Sequence, residues 1–128
     1  MAEANDRNTS DSEILLEKLV APLSELTTST IQKSISAIAQ QTDFSSITGF
    51  LLSKNELYIW RVFNENRKAD FDKLNRYYTL YFSVRKDYVL VASEPLDDGS
   101  WQLIPNYQML TITPKSEHIE IKSTALAN

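Results

Sequence analysis

The side chains able to do covalent chemistry are few here, and their spacing narrows the field further. The chain has 128 residues, one His (His118) and no Cys. Thiolate nucleophiles, disulfides, thiolate metal sites and His–His metal pairs are therefore excluded within it. Gly49 and Gly99 are its two glycines, too far apart for a P-loop or a G-x-G-x-x-G turn. Ser93-Glu94 places a hydroxyl beside a carboxylate, but no His is near in sequence and Pro95 restrains the chain at once. That pair reads as a strand end, with Glu94 accepting buried donors. His118 opens the last predicted strand and reads as a surface residue. Tyr77, Tyr78, Tyr81 and Phe82 offer stacking faces, and aromatic core packing accounts for them. Ser10-Asp11-Ser12-Glu13 sets two carboxylates among hydroxyls just before an apolar run. No metal and no cofactor is expected from this inventory.

The elements that must position these residues follow from periodicity. Met1–Thr9 is polar and is expected to be a flexible N-terminus. Ser10 as N-cap and Glu13 three residues on predict a capping box, with Asp11 and Glu13 at the positive end of the helix dipole. Leu16, Leu19, Val20 and Leu23 follow at helical spacing, and Pro22 predicts an end near Val20. A second helix is predicted from a cap at Thr28 or Ser29 to about Gln41, with Ile31, Ile35, Ile38 and Ala39 as its stripe. Strands are then predicted over Ile47–Ser53, Glu56–Phe63, Tyr77–Arg85, Tyr88–Ser93, Gln108–Thr113 and His118–Ser123. The first two carry apolar residues on both faces, so both faces are expected to be covered. Asn64–Arg76 reads as a long loop with a helical turn at Phe71–Leu74, and Leu96–Asn106 as a second loop. Two helices followed by about six mainly antiparallel strands make an α+β domain.

Charge and hydropathy bound the partners. Thirteen basic residues face seventeen acidic ones, and the sequence pI is about 5.0. No nucleic-acid partner is expected. The one local exception, Arg61–Lys86, holds seven basic residues against three acidic ones and reads as a solvated loop entering an aromatic strand. No apolar run approaches the roughly 18 to 20 residues that span a bilayer, so no membrane association is expected. The polar start shows no secretory pattern, and a cytoplasmic location is the simplest expectation.

Two segments carry a family resemblance. Leu90-Val-Ala-Ser-Glu-Pro-Leu-Asp-Asp-Gly-Ser-Trp101, flanked by Phe82-Ser83-Val84-Arg85 and Leu103-Ile104-Pro105, resembles the late strand and loop of class II, N-terminal-nucleophile glutamine amidotransferases of the small single-domain branch. Ser10-Asp11-Ser12-Glu13-Ile14 is similar to the box that opens a helix in those enzymes. The resemblance covers residues 10–123, with 124–128 as a tail, and implies the C-terminal portion of an αββα Ntn-hydrolase sandwich. It implies hydrolysis of a glutamine or γ-glutamyl amide by an N-terminal Cys, with an Asn-Gly pair on the oxyanion and an Arg on the substrate carboxylate. It assigns Asp11 to the substrate α-ammonium. The family's Arg, His-bearing segment and Asn-Gly pair lie before the box and have no counterpart in residues 1–9. Thr9, Ser10 and Ser12 open a helix, whereas the family nucleophile starts a strand, so none of them replaces it. As a plain helix-start carboxylate, Asp11 would contribute about 0.3–1 kcal/mol electrostatically.

The implied function is therefore a partial amidotransferase domain, inactive alone, with a polypeptide supplying its N-terminal half as the expected partner. The alternative is a non-catalytic binding or regulatory module. Missing strands would leave open edges and apolar faces, so self-association is also expected.

Overall fold

The computed structural model describes residues 10–65 and 78–127. Helix α1 spans Asp11–Val20 and α2 spans Thr28–Gln41. Seven strands follow: β1 Gly49–Leu52, β2 Leu57–Arg61, β3 Tyr81–Val84, β4 Val89–Ala92, β5 Gln102–Leu103, β6 Gln108–Pro114 and β7 Ile119–Ala125. They form two antiparallel sheets, a large one ordered β1-β2-β6-β7 and a small one ordered β4-β3-β5. The fold is α+β.

Local chemistry sets the helix ends. Ser10 Oγ accepts from Glu13 N at 3.2 Å, and α1 ends at Val20, before Pro22. The cap of α2 lies at Thr27 rather than at Thr28 or Ser29. Thr27 and Thr30 cap each other, each hydroxyl accepting the other's backbone N–H, at 3.2 and 3.0 Å. A Thr at the third helical position serves here as Glu or Gln does in the commoner box.

Side-chain alternation along β2 and β6 separates two cores. Tyr58, Trp60 and Met109 face the helices and pack with Leu19, Ile31 and Ile35. Ile59, Leu110 and Ile112 face the other way and pack with Leu80, Phe82 and Ile104 of the small sheet and its flanks. The layers thus run helix pair, large sheet, small sheet. Polar ties cross them: Ser34 Oγ donates to Leu19 O at 2.6 Å, joining the helices, and Thr28 and Thr111 share a hydroxyl–hydroxyl bond of 2.9 Å.

Several expectations need correction. The third strand begins at Tyr81, and Gln102–Leu103, read as loop, adds a short strand against Tyr81 and Phe82. Two ladder positions are too few to leave a periodic signal. The helical turn expected at Phe71–Leu74 lies outside the described residues, as does Tyr77. Both faces of β2 are covered, but β1 is covered on its helix side alone. Phe50 and Leu52 pair with Ile59 and Leu57 and so share their inter-sheet face, yet they are 65% and 72% exposed. Between Leu52 and the β3–β4 hairpin residues Tyr88 and Val89 lies a cavity of about 310 Å³ rather than a packed contact.

Candidate functional site

Asp11 is the first residue of α1, directly after its N-cap. Beside this first turn, α1 and β1 enclose a groove of about 240 Å³. Ser12, Leu15, Leu16 and Leu19 form one wall, Ile47–Phe50 the other, and Trp60 the floor. The floor is fixed, because Trp60 Nε1 donates to Ile47 O at 2.6 Å. Gly49 lies against the indole; a Cβ there would meet Trp60 Cζ2 at 3.2 Å, so a larger residue would crowd the ring. The Thr48 hydroxyl is already engaged, accepting from Val62 N at 3.0 Å and from Ser46 Oγ at 3.0 Å. The groove is largely apolar, with the hydroxyl residues Ser12 and Thr48 in its lining. Its lining holds no nucleophile–base pair.

The other sequence candidates do not converge on it. Ser93 and Glu94 are both exposed after β4. Ser93 contributes its carbonyl, which accepts from Thr79 Oγ1 at 2.6 Å. The role expected for Glu94, accepting buried donors, is corrected by that exposure. His118 is exposed in the turn before β7, where its carbonyl accepts from Lys115 N at 2.8 Å. Tyr78 stacks on Phe63 with centroids 6.4 Å apart, and Phe82 is in the core. Among the described residues no group of three or more His, Asp or Glu is placed to hold a metal ion. No helix among them is long and apolar enough to cross a membrane.

Arg61 and Arg85 depart from the reading of Arg61–Lys86 as a solvated loop entering a strand; Arg67, Lys68, Lys73 and Arg76 lie outside the described residues. Arg61 is 2% exposed. Its Nε donates to Tyr78 O at 2.7 Å and its Nη1 to Ile104 O at 2.9 Å, with the guanidinium 5.0 Å from the Phe63 ring centroid. Burial draws its pKa down, opposed by Tyr81 and Glu65. Arg61 thus ties β2 to both flanks of the small sheet. Arg85 instead clasps the loop of the Ser-Glu-Pro-Leu segment. Its Nη2 donates to Asp97 Oδ1 at 2.9 Å and Oδ2 at 3.1 Å. Asp97 Oδ1 also accepts from Gly99 N at 2.8 Å and Trp101 Nε1 at 3.0 Å. These donors, Arg85 foremost, hold the Asp97 carboxyl at a pKa of about 2. A Cβ on Gly99 would come 2.6 Å from Arg85 Nη2, so the clasp needs glycine there. The readable signal was Asp97-Asp98-Gly99, an Asx-turn pattern; its arginine partner, twelve residues earlier, left none.

No family model, no curated protein and no solved structure matches this chain.

Proposed function

We propose that this chain is the C-terminal portion of a class II glutamine amidotransferase-type αββα sandwich, and that it performs no amide hydrolysis by itself. The observation that carries this reading is the layering. Two antiparallel sheets pack face to face, and the helix pair that begins at the Ser-Asp-Ser-Glu box covers the large sheet. That is the order helix, sheet, sheet of such a sandwich. The fourth layer would lie on the outer face of the small sheet, the side of Tyr81 and Leu103, where Leu103 is exposed. In this reading Asp11, the first residue of α1, receives the α-ammonium of glutamine. A carboxylate alone does not retain a zwitterionic amino acid against water. Binding needs the carboxylate clamp and oxyanion donors that the N-terminal portion supplies.

The test is ammonia release from glutamine. The 128-residue chain should give none above a heat-denatured control. Combined with an N-terminal portion that begins Met-Cys and carries Asn-Gly, in trans or fused upstream, it should become a glutaminase. In that assembly Asp11→Asn should raise KM at least tenfold while leaving kcat nearly unchanged. Activity of the chain alone would overturn the reading. So would an inactive assembly that binds stably.

The apolar lining of the groove favours a second reading, a non-catalytic module that binds an apolar side chain there. Retained binding of an apolar peptide after Asp11→Asn would favour this second reading.

A further inference from the structure

The described strands end in four sheet edges, and they are not equally protected. The outer edge of β7 carries Glu120 and Lys122, charges that discourage pairing with another strand. The edge strand β5 has two residues. Strand β4 is uncharged but half-buried along its length. Strand β1 reads Gly-Phe-Leu-Leu, with no charge, proline or bulge, and its side chains Phe50 and Leu52 stand in solvent. Among the described residues no strand pairs with its outer edge. Among the described residues, then, that edge has no strand partner and the apolar side chains beside it are exposed.

We propose that β1 is a homodimerisation edge: two copies of this chain pair antiparallel through β1 about a two-fold axis perpendicular to the large sheet. This axis keeps both helix layers on one side and both small sheets on the other. Opposed residues must then share a face, so a register centred on Leu51 sets Phe50 opposite Leu52 of the second copy, twice. The four side chains form one apolar block. Charge permits this register. Lys54 falls opposite Thr48 of the second copy rather than opposite another Lys54, so no like charges meet. The area is sufficient for a weak specific contact. Phe50 and Leu52 offer on the order of 250 Å² of apolar surface per copy. Two such patches come to about 500 Å², and with the flanking β1 residues the contact has the size of a weak, transient interface. The inference is independent of the amidotransferase reading, because it is read on the chain alone and without glutamine.

The chain's lack of Cys makes the register directly measurable. In sedimentation velocity the 128-residue protein should pass from monomer to dimer with a Kd on the order of 10 µM. Leu52→Lys, at an exposed position, should weaken the dimer at least tenfold. Mixing Phe50→Cys with Leu52→Cys and oxidising mildly should give the mixed 50–52 disulfide dimer in excess over either homodisulfide. The cysteine experiment stands even if the lysine variant fails to fold. A protein monomeric at 200 µM would overturn the proposal, as would polydisperse higher oligomers or a dimer unchanged by Leu52→Lys. A statistical mixture of disulfides, equal to that formed in denaturant, would overturn it too.

Discussion

Asn106 holds Phe63 by both ends of its backbone. Its Oδ1 accepts from Phe63 N at 2.8 Å and its Nδ2 donates to Phe63 O at 3.0 Å. A side-chain amide thereby imitates a strand residue and extends the β2–β6 ladder past its last pair, Arg61 with Gln108. The next residue, Tyr107, has a positive φ of 61°, costly for a bulky side chain. Its backbone is held there by three bonds, from Tyr107 N to Arg61 O at 2.8 Å and to Asn106 Oδ1 at 3.1 Å, and from Leu126 N to Tyr107 O at 2.9 Å.

Asn106→Ala should therefore destabilise the protein by about 2 kcal/mol, because it removes the bonds to Phe63 N and O, to Tyr107 N and to Glu65 Oε1 at a half-buried site. Urea unfolding followed by circular dichroism measures it. Asn106→Asp keeps the acceptor, loses the donor and sets a charge beside Glu65, whose Oε1 accepts from Asn106 Nδ2 at 2.8 Å. It should be no better tolerated than alanine at neutral pH.

Arg61 should not be replaceable by lysine. A single ammonium does not reproduce a planar fork that reaches Tyr78 O and Ile104 O while lying over Phe63. Arg61→Met, which keeps much of the volume, should cost about 3 kcal/mol through charge-assisted bonds removed from carbonyls between the sheets. Arg61→Lys should fall between Met and the native residue in the same denaturation assay.

The Asp97 clasp should open in acid. Its folded pKa, about 2, lies below the ordinary 3.8, so its contribution is present above 3.8 and is lost as pH falls toward 2. Trp101, which donates to Asp97 and lies 5.5 Å from the Arg85 guanidinium, reports the change by fluorescence. The native protein should show a Trp101 transition in that window. Asp97→Asn should lack it and should resemble the acid form at neutral pH.

Tyr58 titrates in the opposite sense, at the alkaline end. Burial, then the Glu56 carboxylate that accepts its hydroxyl proton at 2.8 Å, push its pKa from 10.0 up to about 12. The folded state holds this proton more tightly than the unfolded state. The contribution is therefore complete below pH 10 and disappears as pH rises from about 10 to 12. Tyr58→Phe should lose about 1 kcal/mol at neutral pH and show a shallower fall in stability across that alkaline window. Chemical denaturation at stepped pH checks both.

What could be read in the sequence was what neighbours in the chain decide. The cap at Ser10, the stop before Pro22 and the stripe of Ile31 and Ile35 are short-range features, and they placed both helices. The Tyr-, Trp-, Ile- and Val-rich run of Glu56–Phe63 and the apolar run of Gln108–Thr113 placed the central strands, and the short turns between β1 and β2 and between β6 and β7 made their pairing antiparallel. The candidate site was legible to the extent of Asp11 at a helix start. The groove beside it was not, because its second wall comes from Ile47–Phe50, in another part of the chain.

Tertiary structure alone decided which face each strand buries and how completely. Arg61 looked like one more cation in a basic stretch, and it became a buried tie because Tyr78 and Ile104 present carbonyls to it from the small sheet. Phe50 and Leu52 carried the same apolar signal as Ile59 and share its face, yet they are exposed; Leu52 borders a cavity of about 310 Å³ that Tyr88 and Val89 also line. Composition and periodicity are summed over nearest neighbours and therefore report that a residue prefers burial. Whether anything arrives to bury it depends on contacts between residues far apart in sequence, such as Thr28 with Thr111 or Arg61 with Ile104. Those contacts exist once the sheets have packed.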